Sequence, residues 1–378
     1  MRILIFNPEN DLALASNDPH YTPPASARQM ATDLQDLPRL WAGEDDLIIK
    51  RKEPCGPSPG PSPVREGRKV SFDGCGSPLP NRGGAGGGAV AGGPPLLILP
   101  WGWSPLLVRQ LRDGGIPEAL LPTNKQMAAY RAFSSRETAV QLLQRLRTEW
   151  PEPFGSGTLA GESAWCTSEA NVLSAIEEYG GTAMLKAPWS GSGRGVHPVH
   201  KLPLPKQTRL WVRRTLQTQG GVEVEPLYHK VQDFAMEFWA EEGHVRYEGL
   251  SLFETTAGGV YAGNLVASEE EKEARLTTYF SPTLLHDVKM HLTNLLNEAN
   301  LPTWYTGPLG IDMMIVNPLN PKPSTQNSTP QLHPLVELNL RMTMGWVALQ
   351  LTPPSEGTGT FRIVQQGGHY QALLNEAE

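Results

Sequence analysis

Two short runs near the C-terminal end constrain this chain most: Leu309 to Val316, LGIDMMIV, and Leu335 to Met342, LVELNLRM. Read with the period of two expected of a strand, Val336, Leu338 and Leu340 fall on one face. Glu337, Asn339 and Arg341 fall on the other. A strand that buries its first face therefore aims a carboxylate, an amide and a guanidinium into one cleft. Asp312 is the only charge in its own apolar run. Neighbouring strands carrying Asp, Glu and Asn offer hard oxygen ligands, which suit Mg2+ or Mn2+. Arg341 beside them suits bidentate contact with a phosphate oxygen. Any one of these residues is equally explained as a solvent-facing position of an amphipathic hairpin. Between the two runs, a Pro/Asn/Ser/Thr loop from Asn317 to Gln331 is too polar to pack, so the order reads as a long-tipped hairpin.

A second stretch supports a phosphate site. Thr182 to Pro188, TAMLKAP, reads as a strand with Lys186 alone among apolar neighbours, and it runs into WSGSGRGV. A dinucleotide fingerprint needs a helix straight after such glycines. His197, Pro198, Pro203 and Pro205 argue against one, so the loop is expected to join two antiparallel strands. Without a Cβ, Gly191, Gly193 and Gly195 let backbone N–H groups approach an anion closely. Ser190 and Ser192 lie in the same flap. A glycine flap with a strand lysine on the same phosphates is a recurring way to hold ATP. The alternative is a plain turn beside a snorkelling lysine, and an isolated strand Lys of that kind contributes little to packing.

The rest of the chain gives context. At 378 residues it can hold two or three domains. A formal charge of −7 with no balancing basic block argues against a general nucleic-acid surface. No run of 18 apolar residues suggests a membrane span, and MRILIF is too short for a signal-peptide core. Cys55, Cys75 and Cys166 form neither a close pair nor a metal cluster, which fits a reducing cytoplasm.

Arg2 to Phe6 reads as a buried strand ending in a polar loop, NPEND, where Glu9 and Asp11 could meet a cation or Asn7 and Asp11 could satisfy backbone donors. Asp46 to Lys50 reads as the second strand. Residues 51–93, Gly- and Pro-rich, read as a flexible insertion between two strands of one domain, because a strand resumes at Pro95 to Pro100. Trp101 and Trp103 could wall a ligand site or simply pack. This β-α-β-β-α order predicts a small parallel, Rossmann-like sheet. Ser134 and Glu137 are spaced as a capping box for SSRETAVQLLQRL. Ser168 caps a helix that stops at Gly180-Gly181. A helix covers Leu210 to Leu216. Antiparallel strands follow from GVEVEPLY to VYAGN, and Glu225 ends an alternating strand in a position suited to a hinge beside an adenine edge. A helix spans Asp287 to Asn300, and RMTMGWVALQL turns into a final helix.

Together MLKAPWSGSGRGV, VEVEPLY, GIDMMIV and VELNLRMTMG resemble, in this order, the ATP-grasp superfamily of carboxylate–amine or carboxylate–thiol ligases. The resemblance runs from about Ser134 to Leu351, and Met1 to Thr123 resembles the smaller domain that usually precedes it. It implies an α/β chain: an ATP-grasp fold of the α+β kind over 134–351, a Rossmann-like domain over 1–123, and a C-terminal tail or helix over 352–378. It also implies metal ligation by Asp312, Glu337 and Asn339, phosphate contacts from Lys186 and Arg341, and an adenine hinge at Glu225. Many members carry a second nucleotide-contacting Lys where this chain has Arg136, a departure that changes the reach of the group. The implied reaction phosphorylates a small carboxylate with ATP and Mg2+ or Mn2+, giving ADP and an acyl phosphate that an amine-type acceptor attacks. A small-molecule kinase of the same fold and a non-catalytic ATP-binding regulatory protein are the alternatives. A Rossmann dehydrogenase conflicts with RILIFNPEN, which lacks the glycines of a pyrophosphate turn.

Overall fold

The computed structural model describes residues 1–51, 72–73, 96–190, 195–256, 260–319, 329–353 and 357–376. It divides into two compact units, Met1–Asn124 with Val364–Ala372, and Lys125–Ile363 with Leu373–Glu378.

In the first unit, Arg2–Ile5 is flanked on both edges by parallel strands, Leu47–Arg51 and Leu97–Pro100. Burial on both faces explains its unbroken apolar run: Ile3, Leu4 and Ile5 are all buried. The Gly/Pro-rich stretch thus separates two strands of one sheet, as its flanks predict. Most of it, and with it the expected flexibility, lies outside the described residues. Phe72–Asp73 is described, and it adds a short antiparallel edge to Lys50 and Arg51.

The NPEND segment departs from the expected loop, because a helix starts within it at Asn10 and runs to Ser16. Asn7 ties two strand ends together. Its amide donates to Gly102 O at 2.8 Å and accepts from Gly102 N–H at 3.3 Å. Trp101 and Trp103 are buried, and Trp101 packs edge-on against Phe6 at 5.0 Å. They serve packing here.

The second unit begins at Lys125, inside the helix Asn124–Phe133, and continues with the helix Arg136–Glu149. The cap of the second helix is Ser135, whose Oγ accepts from Glu137 N–H, and not Ser134. Ser134 instead closes the end of the preceding helix, its N–H donating to Tyr130 O at 3.0 Å. Ser168 caps Glu169–Glu178 as expected, accepting from Asn171 N–H.

A four-stranded sheet follows, in the spatial order Ala164–Cys166, Val222–Pro226, Ala183–Lys186, Val196–Val199, with every pairing antiparallel. Val222, Val224, Leu185 and Ala183 supply its core with Val172 and Ile176 of the capped helix. The glycine loop after Lys186 therefore joins antiparallel neighbours, as the prolines around it require.

The larger sheet has seven strands, ordered Gln331–Asn339, Gly307–Asn317, His229–Glu241, His244–Thr255, Tyr261–Val266, Gly359–Gln366, His369–Glu376. Pro282–Glu298 forms a 17-residue helix and Met344–Leu349 a shorter one. Residues 352–378 are not the tail or helix expected. They contain the paired strands Gly359–Gln366 and His369–Glu376 around Gly367-Gly368, whose φ values are 60° and 85°. Two successive positive φ values suit glycine and a tight hairpin turn, and Gly-Gly between alternating runs is its sequence signature.

Candidate nucleotide and metal site

The hairpin Gly307–Asn317/Gln331–Asn339 sets Asp312 directly opposite Glu337 and Gly310 opposite Asn339. Directly opposed residues share a sheet face, so the two strands bring together the three oxygen-bearing residues picked out in the sequence. Asn339 hydrogen-bonds Asp312, and burial together with the Glu337 charge pushes the Asp312 carboxyl up to about 7. The alternation is interrupted just upstream. Met314 pairs with His333 while Asp312 pairs with Glu337, so Pro334 to Val336 bulge opposite Met313. Proline has no N–H to give the ladder and is found at such bulges. Val336 is consequently only half-buried, against the cluster of Ala160, Met314 and Val316, whereas Leu338 and Leu340 are buried as predicted.

The cationic side comes from the smaller sheet and the helix beside it. Lys186 ends its strand opposite Glu223. Its Nζ lies 2.8 Å from Glu225 Oε2 and 3.8 Å from Glu223 Oε2. Lys186 is buried, so it is no snorkelling side chain. Burial alone would lower its pKa, but the carboxylates of Glu223 and Glu225 outweigh that and keep the ammonium charged. Glu225 is also wholly inside, where burial raises its carboxyl against the pull of Lys186.

Arg136 reaches across this arrangement. Its Nη1 donates to Ala187 O at 2.7 Å and to Ser190 Oγ at 2.6 Å, while Nη2 donates to Glu337 Oε2 at 2.7 Å. Its Nε lies 3.6 Å from Glu223 Oε2. The helix that carries it is pinned to the loop after Lys186, for Arg136 N–H donates to Pro188 O at 3.0 Å.

The loop itself closes through Ala187 N–H to Gly195 O at 2.8 Å. Gly195 has a φ of 74°, and a Cβ there would sit 2.8 Å from the Ser190 Cβ, so glycine is required twice over. Gly191, Ser192 and Gly193 lie outside the described residues.

Sequence reasoning missed Glu223 and Glu237. The first had a signal, since VEVEP puts Glu223 and Glu225 on one strand face. Glu237 had the signal that singled out Asp312, a lone acid in an apolar run, FAMEFWA. It lies opposite Gly310, on the same face as Asn339. Its carboxyl is lodged between two glycines. A Cβ on Gly310 would come within 2.7 Å of Oε2, and one on Gly345 within 2.2 Å of Oε1. Thr343 donates to Oε1 at 2.7 Å and accepts from Trp346 N–H, capping the last helix.

Burial pushes the Glu237 pKa from 4.5 up to about 8. Between those values the unfolded chain sheds a proton that the fold retains, so this group lowers stability as pH rises. Glu237→Gln is expected to raise stability by roughly 2–3 kcal/mol at neutral pH, and by nothing below the unfolded pKa. Urea denaturation at pH 4 and pH 8 checks this, and a change of stability that is the same at both pH values would contradict it.

His333 carries the opposite dependence. It is buried beside Tyr228, with ring centroids 5.4 Å apart, and neither ring nitrogen hydrogen-bonds a described neighbour. Burial lowers its pKa from 6.5 to about 3. Its contribution to stability is whole above the unfolded value and declines as pH falls toward the folded one. His333→Leu is expected to flatten the acid-side loss by about 2 kcal/mol at pH 5. Urea midpoints at pH 5 and pH 7 measure it, and parallel declines in both proteins would refute the assignment.

The donor set fits a divalent cation: two directly opposed carboxylates and an amide oxygen, all hard ligands, with like charges crowded together. Among the described residues no helix is long and apolar enough to cross a membrane.

No family model matches the chain, and no curated protein matches it. Among solved structures it is similar to N5-carboxyaminoimidazole synthetase from Staphylococcus aureus complexed with ADP, at 12% identity over 71% of this chain and 65% of that one, with a TM-score of 0.41. It is also similar to a biotin carboxylase–ATP complex from Campylobacter jejuni, at 14% identity over 71% of this chain and 58% of that one, with a TM-score of 0.43. N5-carboxyaminoimidazole synthase from Aspergillus clavatus, in complex with ADP and an aminoimidazole ribonucleotide, gives 10% identity over 72% and 65%, and a TM-score of 0.38. The chain spans less than two thirds of each of these proteins.

Proposed function

We propose that this chain is an ATP-grasp enzyme that phosphorylates a small-molecule carboxylate with ATP and couples the acyl phosphate to an amine-type nucleophile, releasing ADP. The observation that carries this reading is the register that sets Asp312 against Glu337 while Arg136 joins Glu337 to the loop behind Lys186. A triphosphate between these groups meets cations on one side and, on the other, carboxylates that call for a divalent ion.

Asp312, Glu337 and Asn339 would hold Mg2+ or Mn2+, which when bound neutralises charge on phosphate oxygens. Lys186, Ser190, Gly195 and the loop between them hold the phosphate chain through an ammonium, a hydroxyl and backbone N–H groups. Glu225 directs its side chain to Lys186, which leaves the backbone of Leu227 and Tyr228 for the adenine edge. Tyr228 and Val336, packed on the cluster of Ala160, Met314 and Val316, offer the base an apolar wall. Arg341 supplies a fork of donors to the transferred phosphoryl group and the incoming carboxylate.

In the first step a carboxylate oxygen bonds to the γ-phosphorus as the bond to the β-phosphate oxygen breaks. In the second, the amine attacks the carbonyl carbon, phosphate leaves and the nitrogen loses a proton.

The test is incubation with ATP, Mg2+ and hydroxylamine over a panel of carboxylates. ADP and a hydroxamate are expected. AMP with pyrophosphate would overturn the reading, and a stable phosphorylated product would favour a kinase.

A further inference from the structure

The groups expected to receive phosphate and metal are joined to each other in this structure. Glu337, the carboxylate opposite Asp312, accepts a 2.7 Å hydrogen bond from Arg136, and that bond occupies Nη2 of the guanidinium. The other arms of Arg136 go elsewhere, to Ala187 O and Ser190 Oγ, and its backbone N–H to Pro188 O. The guanidinium is therefore fixed from three directions, and its side chain is only 6% exposed. Glu337 is the accessible member of the pair, with its side chain 25% exposed. Its strand neighbours Leu338 and Asn339 are buried, so movement is confined to its side chain.

We propose that Arg136 is a positioning residue that holds Glu337 off the metal until a nucleotide phosphate replaces the carboxylate on the guanidinium. Nucleotide and divalent metal then bind with positive coupling. The proposal rests on the ATP-binding reading above and adds an order to it.

The physical reason is competition for one fork. An arginine arm that donates to a carboxylate can donate equally well to a phosphate oxygen. While it stays on Glu337, the metal site holds one carboxylate that is not hydrogen-bonded to Arg136, Asp312, and faces a fixed positive charge. When phosphate takes the arm, Glu337 is released next to Asp312 and the positive charge is neutralised. Glu223, 3.6 Å from Arg136 Nε and 3.8 Å from Lys186 Nζ, stays behind as the common counter-charge of both cations. Ser163 keeps it in place, donating to its other oxygen at 2.8 Å. Linkage makes the effect reciprocal: whatever weakens the Arg136–Glu337 bond strengthens each ligand in the absence of the other.

The test reads binding. Free Mn2+ is followed by electron paramagnetic resonance during titration of nucleotide-free protein, wild type against Arg136→Gln, with Arg136→Lys as an intermediate. ADP binding is followed by calorimetry in EDTA, wild type against Glu337→Gln. Arg136→Gln should tighten nucleotide-free Mn2+ binding roughly tenfold, within the range usual for coupled sites, with Arg136→Lys between. Glu337→Gln should tighten metal-free ADP binding by a similar factor.

The Glu337 arm stands by itself where Arg136→Gln melts below the assay temperature, because Glu337 is partly exposed and Gln keeps an acceptor for Arg136. Mn2+ affinity unchanged or weaker in a folded Arg136 variant, or ADP affinity unchanged in Glu337→Gln, would overturn the proposal. Failure of the underlying reading looks different, for then wild-type protein binds no ADP even with Mn2+ present.

Discussion

Lys186→Met is expected to remove about 3–5 kcal/mol of stability together with nucleotide binding, the range for leaving one partner of a buried ion pair alone. The sequence suggests a milder result, since a lone strand lysine contributes little to packing. The structure reverses that expectation. Lys186 Nζ lies 2.8 Å from Glu225 and 3.8 Å from Glu223, and all three side chains are buried. Methionine fills the volume but leaves two carboxylates facing each other in the interior. Burial already raises the Glu225 pKa, and removing the ammonium would raise it further. The double variant Lys186→Met with Glu225→Gln should therefore recover part of the lost stability without recovering nucleotide affinity. Urea denaturation and ADP calorimetry on the three proteins separate the two effects. A loss below about 1 kcal/mol in the single variant would place this pair among weak surface bridges.

Glu337→Gln is expected to lower turnover by more than ~100-fold, as loss of a metal-borne charge removes several kcal/mol of transition-state stabilisation. Gln is close in size and still accepts from Arg136, so folding should change little. The formal charge opposite Asp312 is gone, and metal affinity should fall with turnover. Raising Mg2+ should restore part of the rate if weak metal binding is the defect. Full activity in this variant, once a substrate is in hand, would remove the residue from the site.

Much of this site is written in local alternation. LVELNLRM and LGIDMMIV each place their polar residues on one strand face, and the pairing of Asp312 with Glu337 follows once the two strands are neighbours. The antiparallel turn after Lys186 was legible from the prolines beyond the glycines. Long-range partnership was not legible. Nothing near Arg136 in sequence announces Glu337, 201 residues away, because an ion pair between a helix and a distant strand leaves no periodic trace. The C-terminal hairpin was hidden by the helical run that precedes it, although Gly367-Gly368 marks its turn. The capping serine differed by one residue because two helices compete for the same short link. Glu237 illustrates a different limit. Its sequence signal equals that of Asp312, and the two glycines packed against its carboxyl come together only in the fold.

The most direct test of the account is calorimetric titration of ADP in the presence of Mn2+ into wild-type protein and Asp312→Asn. One saturable site is predicted in the wild type, with the metal-dependent part of the affinity lost in the variant. Absence of ADP binding in the wild type, or equal metal-dependent affinity in both proteins, would contradict it.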